Sequence, residues 1–391
     1  MNILKSKGKI IIITLIVLCL SVASGNILIN KFYNTNYTNF DYIDKEMFNK
    51  LSEIYKEFDE NGEKLWPNYD FDKKPLILIR TYRDKGIIRK YAYAINVKGI
   101  KEGIFSKEVI IPKDLNLPKV YRISNLDLQL FKSFIPGNFG IVDIKDEKVF
   151  YFKYYPKMIE NPDLYFDFSS FLLHEAFHTY KQEKWVYDRN AGEYIERYPN
   201  NKENYALMGV EFSLLDKSLK TNNKEEIKKY LRDWTIIRTY RHEKWPQLKN
   251  ETNTEAIEGT ARYIEYKYSK LTGGKLTVLA KKENPYHVSF VQAFNYIANR
   301  EAESPKYLQR PMRYEVGAAL GLMMDELNID WKSQIQDSEE SPGETQYEIL
   351  KKYFNITDKK INEEIIKDIE NENNYNELLI QGEKLVELSE K

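Results

Sequence analysis

The segment Phe171-Leu172-Leu173-His174-Glu175-Ala176-Phe177-His178 sets two histidines four residues apart, with a glutamate directly after the first. On an α-helix, residues four apart stand one above the other, so both imidazoles can reach one ion. Glu175 lies one step round the helix, close enough to touch a water on that ion without ligating it. Two neutral imidazoles on Zn2+ beside a carboxylate base suit hydrolysis by a metal-activated water. The chain holds only four histidines, so chance would produce this pattern on the order of 0.004 times. Ser169, Ser170, Phe171, Leu172, Leu173, Ala176 and Phe177 give the helix an apolar surround, and Asp167 is placed to cap it.

Such a site needs a third protein ligand and one open position. His242 lies in the basic run Arg238-Thr239-Tyr240-Arg241-His242, and His287 follows Pro285-Tyr286. Neither follows the pair at the spacing of a third histidine ligand, and both read as surface or boundary residues. The better source is Thr254-Glu255-Ala256-Ile257-Glu258-Gly259-Thr260-Ala261-Arg262-Tyr263. Glu255 and Glu258, three apart, share one face of an expected helix. Gly259 and Ala261 leave that face bare, so the histidine-bearing helix is expected to approach there. This favours Glu258 as the ligand, with Glu255 the runner-up or an outer partner that holds a histidine.

With these residues in view, the chain resembles the gluzincin group of metallopeptidases, which pair H-E-x-x-H with a later glutamate, often in E-G-x-A. Glu258, Gly259 and Ala261 match that element. Arg313-Tyr314-Glu315-Val316-Gly317 resembles the Y-E-x-G helix start of the aminopeptidase-like branch. The resemblance implies that Tyr314 donates a hydrogen bond to the oxyanion, with Arg262 or His242 nearby. It also implies that an extended substrate lies along an edge strand, for which Val149–Tyr155 is the candidate. The match spans about residues 165–330 through three short motifs. The chain departs from the group in the 80 positions between His178 and Glu258. It departs again at Arg262, where thermolysin-like enzymes carry an aspartate, and in lacking G-x-M-E-N.

The elements that must position these residues read as α+β. Residues 45–59 carry helical periodicity, with Met47, Leu51, Ile54, Tyr55 and Phe58 on one side. Short strand-like segments follow at Pro75–Arg80, Tyr91–Val97 and Val109–Ile111. Gly140–Ile144 and Val149–Tyr155 form an expected hairpin around Lys145–Lys148. From Phe166 the pattern turns helical, in segments near 168–183, 204–220, 224–246, 253–271, 288–300, 306–328, 344–355 and 358–389. Pro246, Gly273–Gly274, Pro285, Pro305 and Pro342 punctuate them. The expected domains are a mixed region 45–165, a helical catalytic region 166–330 and a helical C-terminal region 331–391.

Lys5, Lys7 and Lys9 precede an apolar run, Ile10–Leu20, and then small residues through Gly25. Residues 1–29 therefore read as a secretory signal, with cleavage after Ala23, or as an uncleaved membrane anchor. A lipid anchor on Cys19 is weaker, because Leu18 occupies a position where a small residue is wanted. Each alternative puts the body outside the cytoplasm. Residues 30–44, polar and aromatic, read as a linker.

Lys+Arg and Asp+Glu balance at 59 each, so no general attraction for nucleic acid is expected. Cys19 is the only cysteine, which excludes a thiolate nucleophile or a disulfide in the body. The expectation is an extracytoplasmic peptidase with one Zn2+ per chain, held by His174, His178 and Glu258, acting on a peptide or protein. Glu175 is the expected base and Tyr314 the expected oxyanion donor. The alternatives are a zinc hydrolase of a non-peptide amide or ester, and a tethered, non-catalytic binding domain.

Overall fold

The computed structural model describes residues 2–33, 35–124, 127–163, 166–188, 195–273, 288–357 and 361–390. It is α+β, with a six-stranded sheet in the N-terminal half and a larger helical part after it. The chain divides into two compact units. The first comprises Met1–Lys64 and Asn68–Ala176, the second Leu65–Pro67 and Phe177–Lys391. Residues 331–391 thus belong to the same unit as most of the helical region.

In the first unit, helices α1 (Asn2–Phe32) and α2 (Tyr42–Leu65) precede strands β1 (Leu76–Thr81), β2 (Arg89–Ile95), β3 (Ser106–Glu108), β4 (Val120–Ile123), β5 (Phe139–Ile144) and β6 (Glu147–Tyr154). The short helix α3 (Pro156–Glu160) leads to α4 (Phe168–Tyr180). The strand order is β3-β4-β2-β1-β6-β5, with β1 and β6 parallel and the other pairs antiparallel. Alternation sorts the side chains onto two faces. Ile77, Ile79, Ala92, Ala94, Ile123, Val149 and Tyr151 build one core. Leu76, Leu78, Tyr93, Phe150, Phe152 and Tyr154 are buried on the other face. The β5–β6 hairpin turns at Lys145 and Asp146, both at positive φ (45° and 68°), as a tight two-residue turn between twisted strands requires.

Three expectations change here. Val149–Tyr155 is not an edge strand: β6 lies between β1 and β5, so the free edge on that side is β5. Its run Val149–Tyr154 is buried at every position, which is the pattern of an internal strand. Residues 35–44 are packed, not a loose linker. Phe40 and Ile43 are buried, and the buried Asp44 carboxylate accepts hydrogen bonds from Tyr91 (2.5 Å), Tyr93 (3.1 Å) and Tyr154 (2.7 Å). The Val109–Ile111 fragment appears as β3 three residues earlier, while Ile110 bridges to Asn36. β4 lies outside the segments expected to be strands.

The second unit carries α5 (Lys202–Lys220), α6 (Lys224–Lys244), α7 (Glu251–Leu271), α8 (Phe290–Ala298), α9 (Lys306–Gln309), α10 (Pro311–Glu326), α11 (Trp331–Gln334), α12 (Gln346–Tyr353), α13 (Glu363–Glu372) and α14 (Tyr375–Ser389). The 306–328 segment is broken at Arg310 because Pro311, lacking an N–H, can only begin a helix there. The 358–389 segment breaks where Asn374 adopts a left-handed φ of 54°. Gly274, Pro285 and His287 lie outside the described residues, as do 358–360.

Candidate metal centre

Helix α4 starts where Asp167 Oδ1 accepts the N–H groups of Ser169 and Ser170, both at 3.1 Å. These are the donors that a helix start leaves unpaired. The boundary between the units falls inside this continuous helix, so the helix itself sets the spacing of His174 and His178. His174, His178 and Glu258 each offer a ligand atom, all within 4.8 Å of one another. His174 is buried; the other two are half-buried. Glu175, also half-buried, follows His174 on the same helix.

The orientation of His178 is set by a chain of hydrogen bonds to α7. Thr260 Oγ1 donates to the Ala256 carbonyl at 2.7 Å, so it accepts from Gln182 Nε2 at 2.6 Å. Gln182 Nε2 also donates to the Ile257 carbonyl at 2.8 Å. The Gln182 amide is thereby fixed with Oε1 toward His178 Nδ1, 2.5 Å away. His178 must donate from Nδ1, which in the neutral ring leaves a lone pair on Nε2. That lone pair faces Glu258 Oε2 at 3.2 Å.

Two acceptors face each other there unless a cation lies with them, either a proton on Nε2 or a metal ion. The His178–Glu258 spacing suits either: two ligand atoms about 2.0–2.1 Å from a tetrahedral Zn2+ stand roughly 3.3 Å apart, and the His174 atom lies within 4.8 Å of both. The donor set also fits, since two imidazoles and one carboxylate are common zinc ligands with one position left open. The last turn of α4 is held by Phe177, which packs edge-on against Trp66 at 4.9 Å. Trp66 in turn meets Trp331 at 5.3 Å and Tyr263 of α7 at 6.1 Å.

Gly259 and Gly317 explain how α7 and α10 approach. A Cβ on Gly259 would stand 2.6 Å from Gly317 Cα, and one on Gly317 would stand 2.3 Å from the Glu255 carbonyl oxygen. Neither position can carry a side chain without moving a backbone. The bare stretch at Gly259 therefore receives α10, not the histidine-bearing helix expected from the sequence. One consequence follows for each motif. Tyr314, one turn before Gly317, hydrogen-bonds Glu258, the residue before Gly259. Burial, then the Glu258 charge, pushes the Tyr314 hydroxyl well above its ordinary value, so it keeps its proton at neutral pH. Arg310 stands beside the same pair, 3.8 Å from Glu258 Oε1 and over the Tyr314 ring at 5.3 Å.

The other candidates are placed elsewhere. Glu255 is fully buried and bound by Arg238 (2.9 and 3.0 Å) and Arg313 (3.3 Å). Arg262 pairs with Glu315 at 3.1 Å and with Glu265, so its charge is committed to carboxylates. His242 is buried, not a surface residue, and its ring packs against Tyr347 at 4.8 Å. Its two ring nitrogens have no hydrogen-bond partner among the described residues. Burial, then Arg238, pushes its pKa well below the ordinary value and keeps it neutral. His287 lies outside the described residues. Gln182 and Arg310 were not singled out in the sequence. Gln182 had a signal, lying four residues after His178 and so on its face; Arg310 is marked only by the proline after it.

Comparison with protein-family models, curated proteins and solved structures finds no match to this chain. The reading of the site therefore rests on its residues and their geometry.

Proposed function

We propose that the chain is a zinc-dependent hydrolase of peptide bonds whose body lies outside the cytoplasm. The observation that carries this reading is the convergence of His174, His178 and Glu258, with Glu175 one residue after His174. Zinc held by these three residues supplies Lewis acidity toward a water and a carbonyl. Glu175 takes the proton of the attacking water and returns it to the leaving nitrogen. Tyr314, protonated at neutral pH, turns the hydrogen bond it gives Glu258 toward the oxygen on which negative charge develops when substrate is bound. Gln182 holds His178 as the Nδ1–H tautomer, which keeps Nε2 available as a ligand. For location, α1 contains the stretch Lys7–Gly25, long and apolar enough to cross a membrane and buried nowhere along it. The lysines before it favour the cytoplasmic side for the N-terminus.

The test uses the full chain in detergent. It should bind about one Zn2+ per chain, and His174→Ala with His178→Ala should abolish binding. Glu175→Gln should keep the metal and lower peptide hydrolysis by roughly a hundredfold or more. Stoichiometric metal in the double variant, or unchanged turnover in Glu175→Gln, overturns the reading.

A further inference from the structure

Within the first unit a cavity of about 540 Å3 opens beside α4. That volume lies in the range of sites that enclose small organic groups. Five of its twelve lining residues are aromatic: Tyr82, Phe139, Tyr155, Phe166 and Phe171. Phe139 meets Phe171 edge-on at 5.8 Å, and Phe166 meets the same ring at 5.3 Å. Phe139 and Phe166 are large apolar residues left substantially exposed, at the mouth of a cavity that an apolar group could fill.

The two acids of the lining already have partners inside the unit. Asp84 accepts from Asn138 Nδ2 at 2.6 Å and from the Tyr155 hydroxyl, and Asp163 is paired with Lys157. Arg83 and Lys85, also in the lining, have no carboxylate partner among the described residues. The cavity thus combines an aromatic wall with a surplus of positive charge, three cations against two acids. It suits a large uncharged side chain and disfavours lysine or arginine.

Its position relates it to the reacting centre. Phe171 precedes His174 by three residues and Glu175 by four, so it is their neighbour on one face of α4, about 4.5 and 6.0 Å along the axis. Phe139 begins β5, which no strand pairs on its outer side among the described residues. A peptide added to that edge advances about 3.4 Å per residue and turns alternate side chains to one face.

We propose that this cavity receives a large apolar or aromatic side chain of the substrate, within two residues of the bond to be cut. The proposal rests on the hydrolase reading for the phrase "bond to be cut", but the binding it describes can be measured alone. The first arm uses the full-length Glu175→Gln protein, loaded with zinc, and fluorescent capped peptides that differ only in Phe, Ala or Lys at one position. The Phe peptide should bind roughly tenfold or more tightly than the Ala peptide, and the Lys peptide should bind least. Phe139→Ala and Phe166→Ala should each erase most of the Phe advantage while leaving the Ala peptide nearly unchanged. The second arm digests a peptide library with the wild-type chain, where the same residue preference should appear at one fixed distance from the cut.

Phe selectivity in binding without any Glu175-dependent cleavage keeps the cavity assignment and removes the hydrolase. Cleavage that depends on Glu175 but shows no selectivity lost in Phe139→Ala and Phe166→Ala removes the cavity assignment and keeps the hydrolase. Equal binding of all three peptides also overturns the cavity assignment.

Discussion

Helix α7 carries two kinds of carboxylate one turn apart, and their surroundings differ. On one side Glu251 and Glu255 join Glu211 of α5, Arg238 and Arg241 of α6, and Arg313 of α10, all six side chains without exposure. Three acids meet three bases, and every carboxylate has an arginine within hydrogen-bond distance. On the other side Glu258 faces His178 Nε2 at 3.2 Å and keeps about a fifth of its side-chain surface. The first cluster has matched its own charge and has no place for an ion. The second is a set of ligand atoms that converge, with the Arg310 guanidinium 3.8 Å from Glu258. The same residue type on the same helix is scaffold in one case and candidate ligand in the other. What differs is how closely arginine approaches, 2.8–3.2 Å in the buried cluster and 3.8 Å at Glu258.

The sharpest way to break this comparison is to remove one partner from the balanced cluster. Arg238→Met should cost about 3–5 kcal/mol of folding stability, because it strands buried carboxylates. Denaturant titration measures it. Glu258→Ala should cost far less stability yet lose most zinc affinity, read against a competing chelator. Equal destabilisation by the two substitutions would mean that the clusters do not differ in kind.

A smaller effect is expected from Gln182→Leu, which leaves every ligand in place but frees the His178 ring. Zinc affinity should fall about tenfold to a hundredfold, and Gln182→Glu, which can still accept from Nδ1, should recover part of it. An unchanged affinity in Gln182→Leu would show that α7 does not need this hydrogen bond to set the tautomer.

Acid should distinguish the regions more gently. Burial opposes ionisation of Glu251, but Arg241, Arg313 and Arg238 together hold its pKa down at about 2, against an ordinary 4.5. Its contribution to stability is present above pH 4.5 and is lost as pH falls toward 2. His242, buried beside the same arginines, stays neutral when an unfolded chain would take a proton. It therefore adds a loss that begins below pH 6.5, with a slope approaching 1.4 kcal/mol per pH unit. His242→Phe should remove that upper part of the slope between pH 6.5 and 5 and leave the lower part. Identical slopes in both proteins would place the acid sensitivity elsewhere.

Much of this was legible in one dimension. The pattern His174-Glu175-x-x-His178 needs only helical periodicity to converge, and the cap at Asp167 is a local preference. The helix and strand periods at α2, α4–α7, β1 and the β5–β6 hairpin were likewise readable, because burial of one face imposes them residue by residue. What failed were features set by partners distant in sequence. No periodicity distinguishes an internal strand from an edge, so nothing in the segment itself separates β6 from the border that β5 occupies. Nothing local marks Asp44 or His242 as buried, since the residues enclosing them are up to 110 positions away.

The sequence by itself determined the two imidazoles, the adjacent base and a carboxylate some 80 residues on, because side-chain type and helical spacing are properties of a short segment. Which glutamate stands at the histidines was decided only by the tertiary structure. Glu255 and Glu258 share a helix face in any reading, and they diverge because Arg238 and Arg313 claim one while the imidazole of His178 meets the other. Gly259 and Gly317 bring α7 and α10 into backbone contact, and that contact sets Tyr314 and Arg310 beside Glu258. Charge pairing and close packing between helices are sums over residues far apart in the chain, and no window of sequence contains them.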